Sequence, residues 1–315
     1  MPATWKIIRP VNLAIIVATF VLIRLFLFDA LEDKFGLELA LSYTDYTILL
    51  FSCITIAAAG YIINDIIDVP ADTINKPEKV LIGKAISKSY AWKWYFFLNV
   101  FGLGLGMYSA YAAGNINLVS IHVLSIVLLY LYAVQFKRIV VLANIIVAFI
   151  IGLSVVTPAV FEPSLYNLNR QGDWYAANFA WICIGALAVF SFNLNLLREI
   201  VKDVEDMEGD AVQDVSSIAR KWGVEVAKGA SAAIVVFVIG LLVYAIATLI
   251  GHPDMNVNML VIYIILIALF SLLIGVMIYK AKSKKDFSRV SNAIKIVMVM
   301  GSLSLIVLFF NYFTT

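Results

Sequence analysis

The chain contains 315 residues, of which 63% are hydrophobic and 14% are charged, and its mean hydropathy is +0.95. Soluble domains carry about 25% charged residues, so this composition excludes a soluble globular protein and indicates an integral membrane protein. The formal net charge of +2 favours no class of partner, and the two cysteines, Cys53 and Cys183, lie singly in apolar runs, which excludes a disulfide framework.

Nine segments of the chain are long and apolar enough to cross a bilayer, which takes about 20 residues of helix. They lack the alternation of strands, and a backbone in lipid must satisfy its own hydrogen bonds, so each segment is predicted to be a helix. The predicted spans are residues 10–29, 43–63, 91–113, 116–136, 139–160, 178–197, 227–250, 258–279 and 291–313. The sequence therefore predicts an all-α, polytopic membrane protein.

The basic residues predict the orientation of these spans. With the amino terminus inside, 20 of the 23 lysines and arginines fall on the cytoplasmic side, and only Arg24, Lys34 and Arg170 fall outside. This is the distribution that the positive-inside rule expects. We therefore expect a protein of the cell membrane whose even-numbered spans end at the cytoplasm.

One acidic pattern occurs twice, with aspartates at offsets 0, 3 and 7 and with 138 positions between the copies. The first copy follows the second span and the other follows the sixth, and their aspartates are Asp65, Asp68 and Asp72, then Asp203, Asp206 and Asp210. On a helix, these offsets bring three carboxylates within an arc of about 60°. Three like charges on one face repel each other unless cations lie between them, so each copy is predicted to bind metal.

The repeat also predicts how the chain is organised. Four spans separate the two copies, which suggests two repeated four-helix units with a ninth helix added, although chance recurrence in acidic loops remains an alternative. Long polar loops are predicted after the motifs, at residues 64–90 and 198–226. Pro70 and Gly209 both weaken helix propagation, so each helix is expected to end at its motif. Since the halves share little else, residues 1–315 are treated as one domain.

Carboxylate oxygens are the ligands that magnesium and calcium prefer, and they suit zinc poorly. Magnesium typically takes one or two carboxylates together with phosphate oxygens of a substrate. Two motifs that face one cavity could therefore hold two or more ions bridged by a diphosphate, with Asn64 as a neutral oxygen beside them. Ordinary solvated loop acids would explain one cluster but not two with the same offsets.

Basic residues at the cytoplasmic helix ends form a second group that could balance such a diphosphate. They are Arg9, Lys76, Lys79, Lys137, Arg138, Arg198 and Lys202. Most lysines and arginines near a membrane only set topology or extend toward the headgroups. Arg198, Lys202 and Lys137 are the stronger candidates, because each flanks an apolar span next to a motif.

These motifs resemble those of the UbiA-type intramembrane prenyltransferase family. Residues 64–72 match its NDxxDxxxD pattern and residues 202–210 match KDxxDxxGD. Weaker matches are residues 9–12 entering the first helix, residues 75–79 after the first motif, and the Tyr132 to Lys137 element. The resemblance spans essentially the whole chain and implies a nine-helix bundle around a central cavity.

The resemblance also implies a reaction. Magnesium held by the aspartates would draw electron density from the diphosphate of an allylic prenyl donor, the C–O bond would ionise, and an acceptor would attack that carbon. The implied catalytic residues are Asp65, Asp68, Asp203, Asp206 and Arg198, and all six motif aspartates are implied metal ligands. The implied substrate-binding residues are Arg9, Asn12, Asn64, Lys76, Lys79, Tyr132, Lys137, Arg138, Asn193 and Lys202.

The acceptor has more than one candidate. Residues 198–206 resemble the corresponding run of digeranylgeranylglyceryl phosphate synthases, which implies geranylgeranyl diphosphate as donor and geranylgeranylglycerol phosphate as acceptor. Aromatic quinone precursors such as 4-hydroxybenzoate, homogentisate or dihydroxynaphthoate are the alternative. A cation transporter is an alternative of another class, although transporter sites commonly lie near the bilayer midplane and these motifs lie at its boundary.

Overall fold

The computed structural model describes residues 6–78, 80–168, 171–213, 215–251 and 257–314, and within these ranges the regular structure is helical, without strands. We number the helices in chain order. They are α1 Pro10–Phe35, α2 Tyr43–Ile67, α3 Val69–Asn75, α4 Lys88–Ala112, α5 Val119–Val134, α6 Leu142–Val160, α7 Gln171–Asp210, α8 Ile218–Trp222, α9 Val224–Ile250, α10 Asn258–Lys280 and α11 Lys284–Leu308. Helix α1 contains a π-helical segment at Arg24–Phe28.

Eight helices in the described part of the chain are long and apolar enough to cross a membrane, which confirms the prediction of an all-α integral membrane protein. Helix α4 is not one of the eight, although it has 25 residues. Its outer surface exposes aromatic rings, among them Phe96 and Phe97. The count of nine transmembrane helices therefore stays a prediction.

Helix α7 differs most from its predicted span. It has 40 residues where residues 178–197 were expected, so the polar loop predicted from residue 198 is wrong as far as residue 210. The reason is that an apolar face continues through the charged segment, with Leu197, Ile200 and Val201 buried at helical spacing. The charged residues between them face the cavity rather than lipid.

The first motif is divided between two helices. Helix α2 ends at Ile67, and α3 begins at Val69 with Pro70 in its first turn. Proline has no backbone N–H and its ring clashes with the preceding turn of a helix, so the chain bends at Asp68. The prediction that the helix ends at the motif is confirmed, but the three aspartates of this copy do not share one helical face.

Six long helices surround a central cavity, and three lie outside them. Side chains from α1, α2, α5, α6, α7 and α11 line the cavity, together with α3 at the motif end. Helix α4 packs on α2, while α9 and α10 pack against α7 and α11. The end away from the motifs is closed by an apolar cluster that includes the fully buried Phe20, Phe28 and Phe161.

Candidate active site

The central cavity has a volume of about 860 Å³ and changes character along its length. All six motif aspartates line one end, and the rest is lined mainly by aliphatic side chains such as Ile56 and Val155, with a few hydroxyl groups such as those of Thr19 and Ser302. On α2 alone the lining runs from Asp65 to Cys53, which at 1.5 Å per residue is a depth of about 18 Å. The cavity therefore has a charged mouth and a long apolar interior.

In the first motif, Asp65 and Asp68 each form an ion pair, and the basic partner differs between them. Arg9 Nη2 donates to Asp65 Oδ1 at 2.6 Å, and Lys137 Nζ contacts both oxygens of Asp68 at 2.6 and 2.5 Å. Arg9 lies over the ring of Tyr61 at 5.1 Å. Burial acts to lower the pKa of Arg9, but the adjacent Asp65 raises it above its ordinary value. Arg9 therefore stays charged in the cavity.

The second motif is also paired with basic and amide side chains, most of them from other helices. Lys76, at the end of α3, contacts Asp206 on α7 at 2.7 and 2.8 Å, and Lys202 Nζ lies 3.7 Å from the same carboxylate. Asn144 of α6 donates to Asp203 Oδ2 at 2.9 Å. Cations and amides from three helices thus hold the carboxylates in place.

The close approach of α3 to α7 depends on Asn75 and Gly209. Asn75 Nδ2 donates to the carbonyl of Asp206 at 2.8 Å, and its Oδ1 accepts from the N–H of Gly209 at 3.0 Å. A Cβ atom on Gly209 would lie 2.5 Å from the carbonyl oxygen of Ala71, which is closer than packing allows. The glycine of the second motif therefore permits this contact, which brings the two motifs together.

Three motif carboxylates, Asp72, Asp203 and Asp210, have no lysine or arginine at ion-pairing distance among the described residues. Burial raises the pKa of Asp72, and the carboxylates of Asp68 and Asp65 raise it further. The side-chain oxygen of Asn64 is buried without a hydrogen-bond partner and this residue lines the cavity. These hard oxygen atoms fit a divalent cation such as Mg²⁺.

The carboxylates are nevertheless too dispersed to form a metal cage from protein alone. Within the described ranges, no group of three or more acidic, histidine or cysteine side chains lies close enough to hold an ion. Magnesium commonly uses one or two carboxylates and completes its shell with water and phosphate oxygens. The residues therefore fit ions that are shared with a phosphorylated substrate.

A second basic group lies where α7 faces α11. Arg198 Nη1 pairs with Glu199 at 2.7 Å, while its Nε is buried and has no hydrogen-bond partner. Lys202 lies one helical turn further along α7, as the four-residue spacing predicted. Lys295 of α11 also lines the cavity and lies within electrostatic range of Arg198 and Lys202.

Most of the predicted substrate-binding residues line the cavity, and two do not. Those that do are Arg9, Asn12, Asn64, Lys76, Tyr132, Lys137 and Lys202, and Arg198, which was predicted as catalytic, lines it as well. Arg138 is exposed and Asn193 donates to the carbonyl of Val189 at 2.8 Å, so neither is part of the lining that the structure describes. Lys79 lies outside the described residues.

Sequence reasoning missed several polar residues of the lining, among them Tyr61, Asn144, Asn195 and Lys295. All four lie inside predicted membrane spans. Polar residues at such positions are costly in lipid and usually mark a functional cavity, and this signal could have identified them.

Two residues beside the cavity have backbone conformations that non-glycine residues rarely adopt. Arg9 has φ +52° immediately before α1, and Val141 has φ +70° immediately before α6. Such conformations cost on the order of 1–3 kcal/mol and persist where surrounding structure holds them. The conformation at Arg9 directs its side chain to Asp65. The conformation at Val141 precedes the helix whose Asn144 contacts Asp203.

The model of the UbiA prenyltransferase family matches residues 36–312. The chain belongs to this family. The protein is therefore a prenyltransferase. Membership of this family favours prenyl transfer over cation transport, which the sequence also allowed.

Relatives agree with this assignment, and solved structures share the fold. A digeranylgeranylglyceryl phosphate synthase from Hyperthermus butylicus is 26% identical over 95% of this chain and 94% of that protein. One from Methanoregula boonei is 31% identical over 57% of this chain and 58% of that protein. A structure of digeranylgeranylglyceryl phosphate synthase has a TM-score of 0.64 at 24% identity, covering 97% of this chain and 96% of that chain. A UbiA homologue from Archaeoglobus fulgidus bound to GPP and Mg²⁺ has a TM-score of 0.55 at 16% identity, covering 96% and 99%.

Proposed function

We propose that this enzyme transfers a geranylgeranyl group from geranylgeranyl diphosphate to the hydroxyl of geranylgeranylglycerol phosphate, with Mg²⁺ as cofactor. The observation that carries the proposal is the convergence of two aspartate motifs and two basic groups at the mouth of one long apolar cavity. Relatives named digeranylgeranylglyceryl phosphate synthase support the acceptor, and the homologue that binds GPP and Mg²⁺ supports the donor and the metal.

The donor diphosphate belongs between the two motifs. Asp65, Asp68, Asp203 and Asp206 are the proposed catalytic carboxylates, with Asp72 and Asp210 as further metal ligands. Mg²⁺ supplies the positive charge that stabilises the diphosphate as it leaves. Arg9, Lys76 and Lys137 already lie against these carboxylates, so their charged groups are within reach of the same diphosphate oxygens.

The prenyl chain of the donor belongs in the apolar interior. Residues such as Ile15, Ile56 and Val147 offer it aliphatic contacts, and none of them can donate a hydrogen bond or act as a nucleophile. Burial of the chain there removes apolar surface from water and keeps water from the reacting carbon. The depth of about 18 Å along α2 suits an extended chain rather than a compact ligand.

The acceptor phosphate belongs at the second basic group. Arg198 and Lys202 are four residues apart on one helical face, and Lys137 is a third candidate contact. Arginine can bind a phosphate through two parallel hydrogen bonds, which a lysine cannot reproduce. Of the three, Arg198 pairs with Glu199 rather than with a motif aspartate, so it is the cation most available to a second phosphate.

The two halves of the chain form one catalytic domain in this proposal, because helices from both halves line the same central cavity. The enzyme lies in the cell membrane, with its active site facing the cytoplasm and its amino terminus on the cytoplasmic side. The support for this orientation is the placement of 20 of the 23 basic residues.

An acceptor panel tests the proposal. Purified enzyme in detergent would receive labelled geranylgeranyl diphosphate, Mg²⁺ and one acceptor at a time: geranylgeranylglycerol phosphate, 4-hydroxybenzoate, homogentisate or dihydroxynaphthoate. We expect transfer to the glycerol phosphate lipid and loss of turnover when EDTA removes the metal. Turnover of an aromatic acceptor alone would replace the lipid acceptor with a quinone precursor, and full activity in EDTA would contradict the metal assignment.

A further inference from the structure

We infer that Lys295 completes, together with Arg198 and Lys202, a phosphate site that is separate from the donor site. This inference rests on the proposed lipid-phosphate acceptor and adds α11 to its recognition. The ligand is a phosphate monoester, the head of a lipid acceptor whose chain lies in the membrane.

Lys295 is an unpaired cation inside a membrane helix. It lies 11 residues from the start of α11, about 16 Å along the helix, and it lines the cavity. Among the residues that the structure describes, Lys295 has neither a hydrogen-bond acceptor nor a carboxylate at ion-pairing distance. A lysine at such a position is costly, and cations of this kind usually mark a substrate pathway.

Its charged neighbours make an anion site there more favourable. Arg198, Lys202 and Arg9 all lie within electrostatic range of Lys295, and Glu199 is the nearby acid. Glu199 is already paired with Arg198. Like charges in a cavity of low dielectric constant repel strongly, so an anion bound between them would relieve this repulsion.

The same group offers donors that have no partner. The buried Nε of Arg198 has no acceptor, and a phosphate oxygen could accept from it. Ser291 and Asn292 of α11 line the cavity beside Lys295 and add neutral hydrogen-bonding groups. Three cations and these polar groups suit a phosphate dianion, which has three acceptor oxygens, better than a carboxylate.

The donor site makes different use of its cations. Lys76, Lys137 and Arg9 each contact a motif carboxylate within 2.8 Å, so they accompany the proposed metal ligands. Lys295 has no such contact and projects from a helix that carries no motif residue. Lys202 lies at the boundary between the two sets, because its Nζ is 3.7 Å from Asp206. Two substrates that both carry phosphate would be distinguished by the cations that contact the motif carboxylates and by Arg198 and Lys295, which do not.

Direct binding tests the inference without requiring turnover. Isothermal titration of the full-length protein in detergent would compare geranylgeranylglycerol phosphate with geranylgeranylglycerol, its alcohol. We expect wild type to prefer the phosphorylated lipid, and Lys295→Gln to weaken its binding roughly 10- to 100-fold while binding of the alcohol stays the same. Lys295→Arg should keep most of the affinity. The matched control is Lys285→Gln, an exposed lysine of the same helix, which should bind as wild type does.

The outcomes separate this inference from the proposed function. If wild type does not prefer the phosphorylated lipid, the proposed acceptor is wrong and the inference falls with it. If wild type prefers it and Lys295→Gln binds it equally well, only the inference is overturned. A Lys295→Gln variant that loses affinity for geranylgeranyl diphosphate instead would assign Lys295 to the donor site and overturn the inference.

Discussion

At the scale of single residues, three of the six motif aspartates are neutralised by a lysine or arginine of the same chain. A divalent ion that binds Asp68 competes with Lys137, which contacts both carboxylate oxygens. The same holds for Asp206 and Lys76. The ammonium groups would then lie beside the metal, and an added anion such as diphosphate would interact favourably with both. Metal and diphosphate are therefore expected to bind more tightly together than apart.

Removal of one such lysine should separate metal binding from catalysis. Lys137→Met is expected to increase the affinity for Mg²⁺ measured without diphosphate, because the competitor for Asp68 is gone. It should lower kcat, because a cation that would stabilise the leaving group is also gone. Titration of Mg²⁺ against thermal stability, alongside the prenyl-transfer assay, measures both effects. Arg138→Gln, at the exposed neighbour outside the cavity, is the control. A weaker metal affinity in Lys137→Met would contradict the competition.

The aspartates themselves should be needed for turnover. Asp65→Ala, Asp68→Ala, Asp203→Ala and Asp206→Ala are each expected to reduce the rate by at least about 100-fold, or roughly 2.7 kcal/mol of transition-state stabilisation. Glu208→Gln is a matched control, because Glu208 lies in the same charged segment but is exposed. Steady-state kinetics with saturating substrates measure the change. Near-normal turnover of Asp68→Ala would contradict the assignment of this motif to metal and diphosphate binding.

Arg198 allows a test of geometry at constant charge. Arg198→Lys keeps the cation but loses the planar fork, so it should raise KM for geranylgeranylglycerol phosphate by about 10- to 100-fold. The KM for the prenyl diphosphate should change little. Separate titration of each substrate at saturation of the other gives both constants. If only the donor constant rises, Arg198 serves the donor site and an aromatic acceptor becomes the better candidate.

At the scale of helices, the contact between α3 and α7 sets the distance between the two motifs. Gly209→Ala should put a methyl group against Ala71 and Asn75, force α3 away, and destabilise the fold by about 1–3 kcal/mol. Activity should fall as well, since Lys76 and Asp72 move with α3. Gly185→Ala lies in the same helix with open space around it, so it is expected to leave both properties unchanged or slightly improved. Thermal unfolding in detergent and the transfer assay compare the two variants. Equal behaviour of both would show that this contact is unimportant.

The two motif helices also show how far local sequence rules reach. Pro70 and Gly209 were expected to act alike, but only proline divides its motif. Proline removes a hydrogen bond and costs about 3 kcal/mol in a helix, whereas glycine costs about 1 kcal/mol, which packing against α3 can offset. Helix α7 therefore continues to Asp210. The paired offsets predicted a shared site, but they could not predict which cation meets which aspartate.

At the scale of the whole molecule, the sequence predicted the membrane class and the meeting of both motifs from composition and spacing alone. It misjudged Lys295, because the span was expected to begin at residue 291 and basic residues near a span boundary usually set topology. The helix begins at Lys284, so Lys295 lies well inside the bundle. Depth within a bundle depends on how helices tilt and pack, and that information is not contained in any one segment.

Labelling from each side of the membrane tests the orientation. In a background with Cys53→Ala and Cys183→Ala, cysteines at Lys84 and Lys221 should react with an impermeant thiol reagent only from the cytoplasmic side. Both positions are exposed and belong to the motif end, where Asn75 joins α3 to α7. A cysteine at the exposed Asn117, beyond the opposite end of α4, should react only from outside. The physical reason is the bias of basic residues toward the motif end, since translocation of short basic loops is unfavourable. Reaction of positions 84 and 221 from outside would reverse the orientation but keep the site. Reaction of these two positions from opposite faces would be incompatible with a shared cavity, and the proposed transfer reaction would then lose its structural basis.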